Sequence, residues 1–341
     1  MLDKIPFLHL TQPSYISFKS EFAQLLAGEA GGVQDNASYI DDFENTKGTI
    51  DVMTPTSWVI SSVPSLNFKD DYNDKTGLTS GFHRSRLAWY TIDPLFTRRG
   101  SSLTPGHIKS DLKQLSNHYV REVYVKELFP LRQQSTYQGA TSTLSVLNLA
   151  YYPSEPGPYN FNVSDLQSDG TLASPSRNWG GMMRKLDTND FEQANVEYIE
   201  FWMLDPFIYS REQSDAADYG GDFYINLGEV SEDILRDGKK FYESGMPVDG
   251  SNSFTYTQWG KIPTQSTVTY AFATTSGSRA LQDVGFNGLT DAEEQEFYKS
   301  AYLNQIQGKV NQAVFDSIFA DPARDNYHYF RGSDWDEMRA P

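Results

Sequence analysis

The chain has 341 residues, and its 45 acidic side chains outnumber 28 basic ones, which gives a formal net charge of −17. This balance argues against nucleic acid or an anionic lipid surface as a partner, because both require clustered lysine and arginine. The absence of cysteine excludes disulfides, cysteine-ligated metals and a cysteine nucleophile. With 38% hydrophobic and 14% aromatic residues, the chain is expected to fold around a real core.

Export and membrane signals are absent from the sequence. No apolar run reaches the ~18 residues that a membrane-spanning helix needs, so we expect no direct membrane span in this chain. The first residues, MLDKIP, lack the basic and apolar regions of a signal peptide.

Strand signals dominate from about residue 38 onward. Short segments rich in β-branched and aromatic residues predict strands at 86–92, 143–151, 223–227 and 267–272. The strongest strand prediction covers residues 196–204, where both faces are apolar, as in a central strand of a sandwich.

Helical signals are few. A short helix is predicted at 21–27, another at 107–120, and a third at 232–243 with Ser231 as its N-cap. The sequence Thr-Asp-Ala-Glu beginning at Thr290 is a capping box, which predicts a helix that continues to about residue 320 with a break at Gly308.

These elements predict a mainly β protein, a jelly-roll or galactose-binding-like β-sandwich with long loops and a helical C-terminal segment. The predicted organisation is a connecting segment at 1–37, the sandwich at 38–289 and the helical segment at 290–341. Residues 152–181, rich in proline, glycine and serine, are predicted to be a long functional loop.

One acidic loop before the predicted C-terminal helix has the spacing of a calcium site. An EF-hand-type loop needs oxygen ligands at defined positions and a glycine at the turn. The predicted calcium ligands are Asp283, Asn287, the carbonyl of Leu289, Asp291 and Glu294. Gly285 stands where such a loop carries a further side-chain ligand, so a plain capped turn is the alternative interpretation.

Enzyme motifs are not apparent. The sequence has no nucleophile elbow, phosphate loop or dinucleotide fingerprint, and its five histidines lack metal-ligand spacing. Glu200 is the carboxylate to inspect for a glycosidase, which requires a facing pair. Trp179, in the long loop, is a candidate platform for stacking a sugar, and this keeps a carbohydrate-binding module as an alternative.

Several long motifs carry a resemblance to a known family. They are YYPSEPGPYN at 151–160, NWGGMMR at 178–184 and DFEQANVEYIEFWMLDPF at 190–207, with further stretches at 38–44, 282–294 and 321–334. In collinear order along nearly the whole chain, they resemble the SprA/Sov family of cell-surface proteins. Members of that family are much longer and contain a transmembrane β-barrel, so the resemblance implies that this chain is an excised soluble region.

The resemblance implies a non-enzymatic domain of the outer-membrane translocon of the type IX secretion system, which is also tied to gliding motility. The expected location is the cell envelope, in association with the outer membrane. The expected partners are other secretion-system subunits and the exported polypeptide, with glycans as an alternative. For the long loop we expect exposed aromatic side chains that dock a partner, and the candidate interaction residues are Tyr159, Trp179 and Arg184.

Overall fold

The computed structural model describes residues 50–93, 100–102, 104, 106–111, 113, 116–132, 142–188, 190–194, 196–208, 220–239, 253–264 and 284–326. The chain divides into two compact units, and the smaller includes residues 192–197. The features described below belong to the larger unit, Ile50–Phe191 with Tyr198–Pro341. Within the described ranges, no helix has the length and apolar character needed to cross a membrane.

The strands that the structure describes are short and pair two by two. They are β1 (Val59–Ile60), β2 (Ser85–Tyr90), β3 (Val123–Tyr124), β4 (Thr143–Leu144), β5 (Asn148–Pro156), β6 (Met182–Met183), β7 (Phe254–Tyr256) and β8 (Lys261–Pro263). The antiparallel pairs are β1 with β6, β2 with β5, β3 with β4, and β7 with β8. The jelly-roll sandwich stays a prediction.

The ladder between β2 and β5 is the longest in the described part of the chain. It pairs Arg86 with Tyr152 and Trp89 with Leu149, and its register shifts between Ser85 and Arg86. The predicted strands 86–92 and 143–151 correspond to β2 and to the region of β4 and β5. Gly157 follows β5 at a close approach, where an added Cβ would lie 2.5 Å from the Ser85 carbonyl oxygen.

The helices in the described part of the chain are short, and three of the six lie between residues 291 and 320. They are α1 (Lys69–Asn73), α2 (Gly106–Ser110), α3 (Val125–Leu128), α4 (Asp291–Phe297), α5 (Asn304–Ile306) and α6 (Gln312–Ala320). A π-helical turn, Lys299–Leu303, joins α4 to α5, and short 3-10 turns lie at Pro55–Ser57, Thr79–Gly81 and Pro175–Arg177.

The capping box at Thr290 is confirmed. The Glu293 carboxylate accepts the Thr290 N–H at 2.9 Å, and α4 begins at the next residue. The predicted break at Gly308 is also present, because this residue has φ +79°, a left-handed conformation that favours glycine and ends a helix.

The core joins the C-terminal helices to an irregular segment that follows β5. The ring of Phe161 lies 4.2 Å from that of Tyr298 and 5.2 Å from that of Tyr302, measured between centroids. The buried apolar residues of this cluster are Tyr159, Phe161, Leu166, Ile234, Leu235, Trp259, Phe286, Leu289, Tyr298, Tyr302, Leu303, Ile306, Val310, Ile318 and Ala323. Aromatic rings therefore supply much of the surface that drives this part of the fold.

Residues 157–181 are largely irregular, as the predicted loop requires, but the expectation that the aromatic side chains of 152–181 are exposed is wrong for Tyr159, Phe161 and Trp179. Residues 152–156 complete β5, and the rest is irregular but includes several fully buried side chains, among them Phe161 and Leu172. Asparagine side chains replace the missing ladder: the Asn160 amide donates to the carbonyls of Phe82 and Arg84, and the Asn162 Oδ1 accepts the N–H groups of residues 164 and 165. Buried backbone can be irregular when side chains satisfy its polar groups.

The structure also corrects three predicted elements. Residues 196–204 and 223–227 form no strand among the described residues. The predicted helix 232–243 is a series of turns in its described part, because the Asp233 carboxylate accepts the N–H groups of Asp237 and Gly238, and Arg236 has φ +52°. Of the predicted helix 107–120, the described residues that are helical are those of α2 together with Lys113 and Ser116. The predicted helix 21–27 and the strand 267–272 lie outside the described residues.

Arg84 is a buried cation whose guanidinium holds three segments together. It donates to the carbonyls of Pro158, Ile234 and Ser61 at 3.2, 3.1 and 3.4 Å and lies over the Trp179 ring at 5.2 Å. Burial lowers its pKa to about 10. The guanidinium thus satisfies carbonyls of segments that are far apart in sequence.

We expect Arg84→Lys to lower the free energy of unfolding by about 2–4 kcal/mol, because a single ammonium cannot reach all of these carbonyls and leaves some of them buried without a donor. The matched control is Arg86→Lys, at an exposed ion pair with Glu155, where a loss below about 1 kcal/mol is expected. Chemical denaturation of both variants measures the difference, and equal losses would contradict the role of Arg84.

Candidate functional site

The three candidate interaction residues occupy different environments. Tyr159 and Trp179 are 1% and 7% exposed, so the expectation that these aromatic side chains are available on the surface is wrong. Tyr159 belongs to the core, and Trp179 is covered by Arg84 and by Phe68, whose ring centroid lies 6.1 Å away. Arg184 is partly exposed, lies over the Trp58 ring and donates to the Asp51 carbonyl at 2.8 Å.

The predicted calcium loop is built as a buried hydrogen-bonded turn. Asn287 donates from its amide to the Glu294 Oε1 at 2.5 Å and accepts the Leu289 N–H at 2.9 Å. The Glu294 Oε2 accepts the Ala323 N–H at 3.0 Å, which ties helix α4 to the segment after α6. Asp291 is exposed in the first turn of α4, and Asp283 lies outside the described residues.

Two buried tyrosines extend this network. The Tyr159 hydroxyl accepts the Phe286 N–H at 2.7 Å and shares a side-chain hydrogen bond with Asp325. The Tyr298 hydroxyl donates to the Trp259 carbonyl. Burial raises the pKa of both phenols well above 10, so both stay neutral and keep donating hydrogen bonds at physiological pH.

The Glu294 carboxyl is the most perturbed acid of the network. Burial is the largest cause, and the negative charge of Asp325 adds to it; together they raise its pKa to about 9, against the opposing hydrogen bonds from Asn287 and Ala323. The pKa of Asp321 is raised by burial as well. The network therefore retains a proton at neutral pH.

Asp321 is the acid that the sequence analysis missed. One carboxylate oxygen from each of Asp291, Glu294 and Asp321 lies within 4.8 Å of the others, which is a grouping that oxygen-binding cations use. Thirty residues separate the first acid from the third, so no loop motif signals the group. The carboxylate oxygens of Glu294 and Asp321 already accept hydrogen bonds from backbone or side-chain N–H groups. The calcium site stays a prediction.

A surface groove contains a histidine and an aspartate in contact. The His83 Nδ1 lies 2.6 Å from the Asp71 Oδ2, and Phe68 packs on the imidazole with 5.7 Å between ring centroids. The groove has a volume of about 510 Å³ and also contains Lys69 and Arg177. Such a pair orients an imidazole in catalytic sites, yet the same contact also fixes a structural histidine. The sequence carries no motif for this pair.

Glu200, the carboxylate singled out for glycoside chemistry, is exposed on an extended segment. The glycan hypothesis relied on Trp179 as a stacking platform, and the burial of this indole removes that residue from it.

The comparisons with known proteins bear on the C-terminal end. Residues 301–341 match the SprA_N family model, which is described as a motility related/secretion protein. No curated protein matches the chain. The match supports the assignment of the chain to the SprA/Sov family, as the sequence resemblance indicated, and hence a function related to motility and secretion in a cell-envelope protein.

The raised pKa of Glu294 predicts a pH-dependent stability. The unfolded carboxyl ionises near pH 4.5 and the folded one near 9, so the wild type should lose stability across this window as pH rises, by up to about 1.4 kcal/mol per pH unit. Glu294→Gln cannot ionise and should flatten the decline, whereas the exposed control Glu296→Gln should keep it. Melting temperatures across the window measure the slopes; parallel curves for all three proteins would refute a buried neutral Glu294.

The same melting curves test the calcium prediction. Calcium bound to the folded state should raise the melting temperature of the wild type by a few degrees, and Asp283→Ala should abolish the rise. Identical melting with calcium and with chelator would show that the loop is a capped turn.

Proposed function

We propose that the chain is a non-enzymatic domain of the outer-membrane translocon of the type IX secretion system. Its role would be structural and interactive: it would contact other subunits of the system and the exported polypeptide, in protein export and gliding motility. The proposal rests on the family match at 301–341 together with the longer motifs that resemble the SprA/Sov family.

One observation carries the proposal from the matched stretch to the rest of the chain. The matched residues Tyr302, Leu303 and Ile306 are almost fully buried and share a core with Tyr159 and Phe161. Arg324, also in the match, donates to the Asn160 carbonyl at 2.9 Å and to the Tyr302 hydroxyl at 3.0 Å. A family segment that is built into the core in this way supports carrying the family role to the residues it packs against.

The hydrogen-bonding pattern supports a structural role. Four side chains of the core form hydrogen bonds with backbone groups and with one another. They are Asn287, Glu294, Tyr159 and Tyr298. Groups that perform chemistry must reach a substrate, and these are covered. Their arrangement suits a rigid body that presents its surface to partners.

The proposal predicts an export defect when this core is broken in the cell that encodes the chain. Ile306→Asp places a charge at a fully buried position, which costs several kcal/mol and should unfold the domain. Asn304→Asp, on the exposed face of α5, adds the same charge and is the matched control. Secretion of a cargo protein and gliding speed are measured together with the amount of the protein in the outer membrane.

We expect Ile306→Asp to abolish both secretion and gliding and Asn304→Asp to leave them intact. Normal cargo secretion in Ile306→Asp cells would contradict the proposal. If those cells secreted normally and lost only binding to surface polysaccharide, the carbohydrate-binding alternative would replace it.

A further inference from the structure

One asparagine of the core is followed directly by a glycine. Asn287–Gly288 is the single Asn-Gly pair in the sequence. In such a pair the backbone nitrogen of the glycine can attack the side-chain carbonyl carbon of the asparagine, because glycine has no side chain to hinder the approach and few conformational restrictions. The product is a cyclic succinimide, which water opens to aspartate or isoaspartate. By its sequence, this pair is the one in the chain most prone to deamidation.

The folded core holds the Asn287 side chain at both of its polar atoms. The Nδ2, which would leave as ammonia, donates to the Glu294 Oε1 at 2.5 Å, and the Oδ1 accepts the Leu289 N–H at 2.9 Å. These two hydrogen bonds fix the plane of the amide. While both are intact, the side chain cannot rotate freely toward the Gly288 nitrogen.

The backbone of the pair is held in place as well. The Asn287 carbonyl accepts the Lys261 N–H at 3.0 Å, and a Cβ added to Gly260 would lie 2.1 Å from the same carbonyl oxygen. Gly288 is buried and has φ +69°. Asn287 and Glu294 are 1% and 0% exposed, so water and base reach this turn only after the core opens.

Deamidation would place an acid where the core is built around an amide. Neither product has an N–H to donate to Glu294, and both bring a further carboxyl against one whose oxygen already lies within 4.8 Å of an Asp321 oxygen. Carboxyls in contact at a buried site cannot both ionise without repulsion. Isoaspartate also adds one carbon to the main chain between Phe286 and Leu289, which are both core residues. Either product therefore destabilises the native turn.

We propose that Asn287–Gly288 is a deamidation site that the folded core shields and that reacts in molecules whose core has opened. In the released turn, the Gly288 nitrogen bonds to the Asn287 Cγ, the Cγ–Nδ2 bond breaks, and the proton of the Gly288 nitrogen leaves with Nδ2 as ammonia. Water then adds across one of the two ring carbon–nitrogen bonds next to a carbonyl, which yields aspartate or isoaspartate.

Solvent water is the one other reactant of this reaction. The change is irreversible, so it prevents molecules that stay open from regaining the native core. The proposal does not depend on the secretion assignment.

Two other asparagines of the core provide an internal comparison. Asn160 and Asn162 are also buried, and their amides donate to backbone carbonyls. They are followed by Phe161 and Val163, whose side chains hinder the attack of the backbone nitrogen. Unfolding exposes all three asparagines, and the proposal predicts that Asn287 deamidates first.

The test compares the folded with the unfolded protein. The full 341-residue chain is held at mildly alkaline pH, which favours loss of the proton from the Gly288 nitrogen, either in buffer or in denaturant that unfolds it completely. Digestion and mass spectrometry follow the replacement of the amide NH₂ by a hydroxyl at each asparagine; isomerisation at Asp-Gly pairs changes no mass. We expect Asn287 to deamidate at least about tenfold faster in the unfolded chain, since the folded chain reacts only through its rare openings.

Two variants separate the reaction from its consequence. Gly288→Ala places a methyl group next to the reacting nitrogen and should slow deamidation of Asn287 in denaturant, where the stability of the variant does not matter. Asn287→Asp reproduces one product and should lower the midpoint of chemical denaturation. The matched control is Asn304→Asp, which adds the same charge on the exposed face of α5 and should leave the midpoint unchanged.

Several outcomes would overturn the proposal. Equal rates at Asn287 in the folded and the unfolded chain would mean that the core gives no protection. Deamidation of Asn160 or Asn162 as fast as that of Asn287 in denaturant, or an unchanged rate in Gly288→Ala, would mean that the glycine does not direct the reaction. Deamidated molecules that refold on dilution and then unfold at the wild-type midpoint would show that the change does not prevent the return to the native core.

Discussion

The fold depends on satisfying the polar backbone groups of a buried segment that has no ladder of its own beyond β5. Tyr159, Phe161 and Leu166 of this segment, residues 157–181, lie in the aromatic core, and both backbone groups and side chains from other parts of the chain satisfy its polar groups. Arg84 donates to the Pro158 carbonyl, Arg324 to that of Asn160, and Lys309 to that of Val163. A buried polar group without a partner costs on the order of 1–3 kcal/mol. Each of these cations therefore stabilises the segment by donating a hydrogen bond to a backbone carbonyl that has no strand partner.

This constraint explains which sequence predictions succeeded. Predictions from local sequence are confirmed where the hydrogen bonds of an element form within that element. The capping box at Thr290 begins α4, and Gly308 ends the helical run before α6. Residues 86–90 form β2 because their alternation meets a partner strand. The N-cap prediction at Ser231 is wrong together with its helix: the Ser231 hydroxyl accepts the Asp233 N–H at 3.2 Å, and the Asp233 carboxylate accepts the Asp237 N–H and holds a turn in place of a helix.

The predictions that failed depended on distant contacts. A stretch rich in proline and glycine reads as a surface loop, and nothing local in it reveals that Asn160 and Asn162 will bind the carbonyl of Phe82. The burial of Trp179 follows from Arg84, which stands almost a hundred residues earlier. The grouping of Asp321 with Glu294 likewise depends on how α6 packs on α4. Residues 198–204 fail differently, since the strand-like sequence is present and a cover is missing from the described residues.

The rigid core serves the proposed function, because a core held by internal hydrogen bonds keeps the surface around it in place. Within the described part of the family match, Tyr302, Leu303 and Ile306 belong to this core.

The central claim is that the family-matched stretch and the irregular segment form one cooperative core. Native-state hydrogen exchange of the wild type and of Ile306→Val tests it most directly, at the amides of Tyr159, Phe286 and Tyr302. Ile306→Val should remove about 0.5–1.5 kcal/mol. The account predicts that all three amides lose the same protection, because they open together. Loss at Tyr302 with unchanged protection at Tyr159 and Phe286 would contradict it.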